Sequence, residues 1–483
     1  MADQNTTVAF GDWLPDDDRN IRPGTPTMWL SGSEVPLDLA KNLIFTGSAW
    51  RLYKPLAAAA GTIASTPLDA ITVDDAGTLE TYVAGANGHL YQIKAGVVAD
   101  VSKAGDYTTN QGWSFAQFGD CLIATNGTDN VQDWNVGSSS VFADLAGSPP
   151  KGRCAGVVRD FIVLGYTSGY SYADGSTGSS LRVHWSAIAN PTNWPTPDTT
   201  AAWAAQSGSQ DCYAEYGDVM YIAPGEEVGM VFQQRGIVRM QYVGGNTVFE
   251  FYTFERKRGL LTRRAAAQAG KLVYFLSSDG FYATDGNTVT PIGYGRVNRW
   301  FFANCADPTV VHAAVDTNAQ CVYWSFPSVA GQPNDHVIIY NFGEDKWSYA
   351  VDTTVCLFPS LQSGTQLGAH IPQAFTIGNV IATFSGTQTD AEIQTKAFVL
   401  QPGVRALVTS AKVLADDAAQ VAVAATVSDD DPQVFSAFVA RNARTRKSCL
   451  RANGTAHALD VKLGQNTTYA QGVELEYTFR GAA

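Results

Sequence analysis

Residues 272–285 read LVYFLSSDGFYATD. An apolar strand runs into Asp-Gly, and a second strand leaves the turn carrying aromatic residues. Two-residue hairpin turns need positive φ, which Gly, Asn and Asp tolerate, so this stretch predicts an antiparallel β-hairpin. The same pattern recurs on both sides. TYVAGANGHLYQI (81–93), CLIATNGTDNVQDW (121–134), FIVLGYTSG (161–169) with LRVHW (181–185), and GMVFQQRGIVRMQYV (229–243) precede it. CVYWSFPS (321–328) with HVIIYNF (336–342), and FTIGNVIATFSG (375–386), follow it. Taking Tyr91, Trp134, Trp185, Met240, Tyr282, Tyr340 and Phe384 as equivalent gives spacings of 43, 51, 55, 42, 58 and 44 residues. A four-stranded propeller blade needs about 40–50 residues. Further apolar segments at VVADV (97–101), VFADL (141–145), VFEFY (248–252), VTPI (289–292) and WSYA (347–350) supply outer strands. The expected fold is therefore an all-β propeller of about 6–7 blades over residues 41–390, favoured over unrelated hairpins in a sandwich. NLIFTGSAWRLYKPL (42–56) is the candidate for completing the first blade.

The ends differ from this pattern. Residues 1–40 carry Pro15, Pro23, Pro26 and Pro36 with Asp16–Asp18, and read as an extended N-terminal arm lying across something else. From 391 to 483 aromatics thin out, and Ala, Val and Thr alternate with polar residues. That alternation and length predict a separate C-terminal β-sandwich.

Composition narrows the class. The 483 residues include 45 Gly, 11 Trp, 20 Tyr and 23 Phe but only 16% charged residues, which disfavours long solvated helices. Short Ala runs such as Ala57–Ala60 are the nearest approach to helix-forming sequence. Net charge is −13, and residues 390–483 hold ten acidic and ten basic side chains, so the excess lies in the first 389 residues. An acidic chain is poorly suited to gripping phosphates, although DNA can slide past an acidic surface without sticking. Seven dispersed cysteines with no CxxC read as reduced thiols from a reducing cytoplasm. Neither a signal peptide nor a membrane span is expected from the apolar run lengths.

Local motifs for chemistry are scarce. The six histidines are scattered, without metal-ligand spacing, and no phosphate loop, dinucleotide fingerprint or nucleophile elbow is present. Asp16–Asp18 and Asp429–Asp431 read as solvated loops in preference to calcium sites. Ser277–Phe281 resembles part of an Asp-box turn, a structural element of sialidase-type propellers. Such an enzyme would also need three separated arginines to clamp a carboxylate, a Tyr nucleophile and an acid, and Arg159, Arg182 and Arg239 are candidates of a kind that any chain this long offers. No cofactor, metal or catalytic residue is assigned. Two basic clusters interrupt the acidic background: Arg256, Lys257, Arg258, Arg263 and Arg264, then Arg441, Arg444, Arg446, Lys447 and Arg451. They are candidate subunit-interface residues.

Several long stretches resemble the tail hub or nozzle proteins of short-tailed bacteriophages, also described as packaged-DNA stabilisation proteins or tail accessory factors. These are VHWSAIANPTNWPTPDTTAAWAAQSGSQDC (183–212), the 216–265 segment around VFQQRGIVRMQYVGG, and GKLVYFLSSDGFYATDGNTVTPIGYGRVNRWFF (270–302). VIIYNFGEDKWSYA (337–350) and AEIQTKAFVLQPGVRALVTSAKVL (391–414) continue the succession. The resemblance covers about residues 150–480, and departs from the family in the N-terminal arm and in 430–480. It implies a non-enzymatic virion protein, made in the host cytoplasm, that forms a homohexameric ring in the tail. That ring would retain packaged DNA and pass double-stranded DNA without sequence-specific binding. Its implied partners are itself, adaptor and portal-proximal proteins, and tail fibres, spikes, a needle or a plug; the C-terminal segment would form the nozzle tip. The alternative is a glycan-binding or glycoside-hydrolysing propeller facing a receptor.

Overall fold

A computed structural model describes residues 4–17, 28–29, 34–110, 112–362, 369–428 and 431–482. Asp18, Pro23, Pro26, Asp429 and Asp430 lie outside them. Within the described residues the chain is all-β, a propeller joined to a second β unit.

Blade I is the antiparallel meander Pro67–Asp75, Thr78–Gly85, Leu90–Lys94 and Val97–Asp100. Blade II runs from Ser114–Phe118 to Ala143–Asp144, and blade III from Lys151–Val158 to Gly208–Asp211. Blade IV runs from Val219–Ala223 to Val248–Glu255, and blade V from Ala266–Ala269 to Val289–Pro291. A fused blade follows, His312–Asp316, Cys321–Phe326, Asn334–Asn341 and Lys346–Thr354, whose outer strand touches the second unit through Lys41↔Tyr349. The closing blade takes Cys356–Leu361, His370–Phe375 and Val380–Phe384 from late in the chain and Leu56–Thr62 from early in it. Its first strand lies beside that of blade I, which closes the ring. All seven residues matched in the sequence, Tyr91 through Phe384, fall on the third strand of their blades.

The apolar core lies between blades, because each sheet buries both faces against its neighbours. Tyr82 of blade I packs its ring 5.1 Å from Trp134 of blade II, and Phe161 of blade III lies 5.1 Å from Phe249 of blade IV. Turn glycines are set by the same closeness. Gly88, at φ +79°, would drive a Cβ to 2.2 Å from the Tyr107 carbonyl oxygen.

Two expectations are corrected. Residues 42–55 do not complete a blade: Leu43–Thr46 and Ala49–Leu52 form a hairpin against the second unit, and Leu56–Thr62 is the closing strand. Nor do the described residues of the 1–40 segment lie as an arm across a separate body. Gln4–Trp13 pairs antiparallel with Ala470–Ala482 and parallel with Glu34–Lys41, which pairs with Ala391–Thr395. The remaining ladder runs through Ala456–Leu463 and Ala419–Thr426 on one side and Val404–Ala415 and Ser448–Gly454 on the other. The second unit is thus built from both ends of the chain. Residues 8, 10 and 13 point inward and are buried, so VAFGDW is core sequence within a proline-bearing segment.

Candidate functional site

The basic residues named from the sequence fall at the propeller axis, at the outer edge of blade IV and on a loop of the second unit, and the structure adds a joint between the two units that the sequence reading did not name.

At the axis, the first strands surround a cavity of about 190 Å³ whose wall includes Asp69, Trp113, Phe115, Tyr221, Arg263 and Arg264. Arg263 and Arg264 enter from the segment just before blade V, and leave the cluster to which the sequence assigned them. Arg264 ties distant blades together. Nη1 donates to the Leu68 carbonyl oxygen and lies 3.3 Å from His312 Nε2. Nη2 donates to the Leu357 carbonyl oxygen at 2.9 Å and to Cys356 Sγ at 3.2 Å, and stands 3.5 Å from Asp69 Oδ1. Burial opposes the Arg264 charge, yet Asp69 and the Cys356 sulfur hold its pKa above the ordinary value. Burial raises the Asp69 carboxyl and pushes His312 well below its ordinary pKa, so His312 is neutral. Arg263 donates through Nη1 to the Arg153 carbonyl oxygen at 2.8 Å, and burial lowers its pKa.

The other members of that cluster lie at the outer edge of blade IV. Arg256 and Lys257 are exposed, and the backbone N–H groups of residues 256–258 all donate to Glu255 Oε1. Arg258 donates to Asp279 Oδ2 at 3.2 Å and sits 4.9 Å above the Tyr282 ring. The three are therefore set apart from Arg263 and Arg264, and of them Arg256 and Lys257 are exposed with no ion pair among the described residues.

The joint explains the VNRWFF stretch. Helix α1 is Thr200–Ala205 in blade III, and α2 is Asn298–Asn304 between blade V and the fused blade. The residue preceding α2, Val297, offers no side-chain cap, and Asp16 supplies one from the other end of the chain. Its carboxylate accepts from the backbone N–H of Arg299 and of Trp300, both at 2.8 Å. Asn298 holds the blade V hairpin by donating to the Asp279 carbonyl oxygen at 3.2 Å and accepting from Phe281 N–H at 3.3 Å. Gly280 must be glycine there, because at φ +142° a Cβ would reach within 1.8 Å of Asn298 Nδ2. Trp13 stacks edge-on to Trp300 at 4.8 Å and lies 5.1 Å from Tyr349 of the fused blade. Around these rings Lys346 pairs with Asp12 and Glu34, Arg296 with Asp345 at 2.6 Å, and Lys396 with Asp38 at 2.9 Å.

The second basic cluster stays together. Asn442 Oδ1 accepts from the N–H groups of Arg444 and Thr445, which folds residues 442–447 into a tight turn with Arg446 at φ 58°. Lys447 pairs with Glu476. The side chains of Arg441, Arg444, Arg446 and Arg451 make no ion pair among the described residues, and 444, 446 and 451 are exposed.

Of the arginines weighed for a carboxylate clamp, Arg182 is paired with Asp174 and Asp211 and Arg239 donates to Asn287, while Arg159 lies 4.1 Å above the Tyr242 ring. Arg159 lies in a turn and Arg182 and Arg239 on strands of different blades, each with its own partner. Among the described residues no group of three His, Cys, Asp or Glu is placed to hold a metal, and no helix is long and apolar enough to cross a membrane.

No protein-family model matches the chain, and no curated protein matches it. Solved structures with a similar course include BBS1N in complex with ARL6DN, at 15% identity over 68% of this chain and 96% of that one, TM-score 0.42. Hydrazine synthase of Kuenenia stuttgartiensis is similar at 9% identity over 66% and 96%, and a chain of the mitotic checkpoint complex at 11% over 69% and 95%, each with TM-score 0.42.

Proposed function

We propose that this chain is a structural subunit of a short-tailed phage tail, the hub or nozzle, assembling with copies of itself into a ring around a DNA conduit. The reading rests on the ordered succession of blade and joint motifs over residues 150–480 that resembles that family. What supports it in the molecule is a distribution of charge suited to self-association. The propeller portion carries the acidic excess, while the second unit offers Arg441, Arg444, Arg446 and Arg451 without ion pairs among the described residues. Such a loop fits the acidic propeller of a neighbouring copy, and electrostatic complementarity of this kind sets register between subunits. The two-ended construction of the second unit supports a mechanical role, since pulling on either terminus loads a hydrogen-bonded ladder.

Native mass spectrometry of the purified chain, with electron microscopy of the parent particle, tests this. A closed ring, or a monomer that appears on the tail axis of a virion, is the expected result. A chain that stays monomeric and is missing from any virion overturns it. Binding on a glycan array, or turnover of glycosides, would favour the receptor-facing alternative.

A further inference from the structure

We propose that the axial cavity of the propeller is a binding site for one small oxyanion, a phosphate or carboxylate, held by the Arg263 guanidinium with the Tyr221 and Ser114 hydroxyls. The inference stands independently of the tail reading. It begins with charge. The cavity wall carries two guanidinium groups, Arg263 and Arg264, against one carboxylate, Asp69, and that carboxylate lies on Arg264. His312 is held neutral and adds nothing to balance them. Arg263 therefore feels Asp69 only at a distance, with no carboxylate in contact with it among the described residues. A guanidinium has five N–H donors in a planar fork suited to an oxyanion. One is engaged with the Arg153 carbonyl oxygen, which anchors the side chain and leaves the rest without a protein acceptor among the described residues.

The anchor is tight on its other side. A Cβ at Gly112 would come within 2.1 Å of Arg263 Nη2, so the glycine makes room for the guanidinium. Two hydroxyls complete the donor set. Ser114 Oγ accepts from Ala155 N–H at 3.1 Å, which leaves its proton to donate. Tyr221 lines the same cavity, its hydroxyl making no hydrogen bond among the described residues. Burial raises the Tyr221 pKa to about 12, so it stays a neutral donor. Trp113, Phe115 and Phe358 supply apolar wall, which lowers the local dielectric and strengthens each charge-assisted bond. The volume of about 190 Å³ admits one such anion with a few waters, and is too small for a nucleic-acid duplex.

The test is isothermal titration of the full chain with sodium phosphate and with sodium acetate, in zwitterionic buffer at constant ionic strength. Expected is saturable one-to-one binding of at least one anion, tighter than about 1 mM. R263Q should weaken it by about 10–100-fold, the value of a charge-assisted hydrogen bond, and Y221F by several-fold. Circular dichroism melts of both variants should follow the parent. If R263Q fails to fold, R263K, which keeps the charge but loses the fork, and Y221F take its place, each expected to weaken binding. Absence of saturable binding by either anion, or equal affinity in the parent and in the folded Arg263 and Tyr221 variants, overturns the proposal.

Discussion

At the residue scale the most consequential side chain is Arg264, because one guanidinium holds carbonyl groups at the start of blade I and on the closing blade. Replacing it by Met keeps the volume but leaves the Leu68 and Leu357 carbonyl oxygens and Asp69 without their donor. Breaking one side of a buried charge pair costs about 3–5 kcal/mol. R264M should lower the urea midpoint accordingly with an unchanged m-value, and no change in midpoint would refute the stitching role. Ionisation of buried groups gives a second prediction. Burial lowers His184 to about 3 and His457 to about 4, each below the ordinary histidine value. The unfolded chain binds these protons near pH 6.5 and the native chain does not until pH 3–4. Stability is thus full above pH 6.5 and falls as pH drops towards 4, by roughly 2–4 kcal/mol per histidine. Asp460 runs the other way. Burial and the adjacent Glu392 hold its carboxyl above the ordinary carboxylate value, so its contribution is full at acid pH and is lost as pH rises through that raised value. Urea midpoints measured from pH 4 to 9 should show H184N flattening the acid limb and D460N flattening the rise-side loss; parallel profiles would exclude both groups.

At the element scale, strands that carry bulky side chains were legible and the others were not. The third strand of every blade could be read because it carries an aromatic or large apolar residue, as Trp134 does where it packs against Tyr82 of the neighbouring blade. The closing strand LAAAAGT could not, since its side chains are small and mostly exposed at an outer edge, where ladder pairing with Val380–Phe384 decides the conformation against alanine's helical preference. Gln4–Trp13 was hidden for a different reason: its partner, Ala470–Ala482, lies at the far end of the chain, and local composition carries no trace of so distant a pairing. Asp16 is the same case, a helix cap separated from its helix by 283 residues. The axial Arg263 and Arg264 were visible as charge, but their direction into the ring was not. Two substitutions check the joint. D16A should cost about 1 kcal/mol as the loss of a cap, and W13A about 3–5 kcal/mol as the loss of a buried indole between Trp300 and Tyr349. Thermal melts that separate these two values by less than experimental error would argue against the joint as described.

At the scale of the whole molecule, the two units are unequal in how they depend on the chain ends. What precedes the closing strand touches the propeller at blade V's exit and at the fused blade: Asp16 caps α2, Asn341 donates to the Phe45 carbonyl oxygen at 2.7 Å, Asn42 Oδ1 accepts from Val351 N–H at 2.8 Å, and the Tyr53 hydroxyl donates to Asp352 at 2.9 Å. The second unit needs both ends at once, because Gln4–Trp13 is paired on one edge by the last strand and on the other by Glu34–Lys41. Cutting after residue 390 therefore leaves two long strands without their partners, and exposed apolar strand edges drive association between chains. Removing both ends uncovers only a short edge, the part of Lys346–Thr354 that meets Lys41 and Asn42. A fragment spanning 53–390 should accordingly express as a folded monomer with a cooperative melt, while 1–390, although longer, should aggregate. Size-exclusion chromatography with light scattering separates the outcomes. A soluble monomeric 1–390 fragment would mean that the N-terminal strands are not integral to the second unit, whereas loss of fold in 53–390 would mean that the propeller ring is held shut from outside. A soluble 53–390 and an aggregating 1–390 would assign ring closure to the Leu56–Thr62 ladder and the integrity of the second unit to its two-ended pairing.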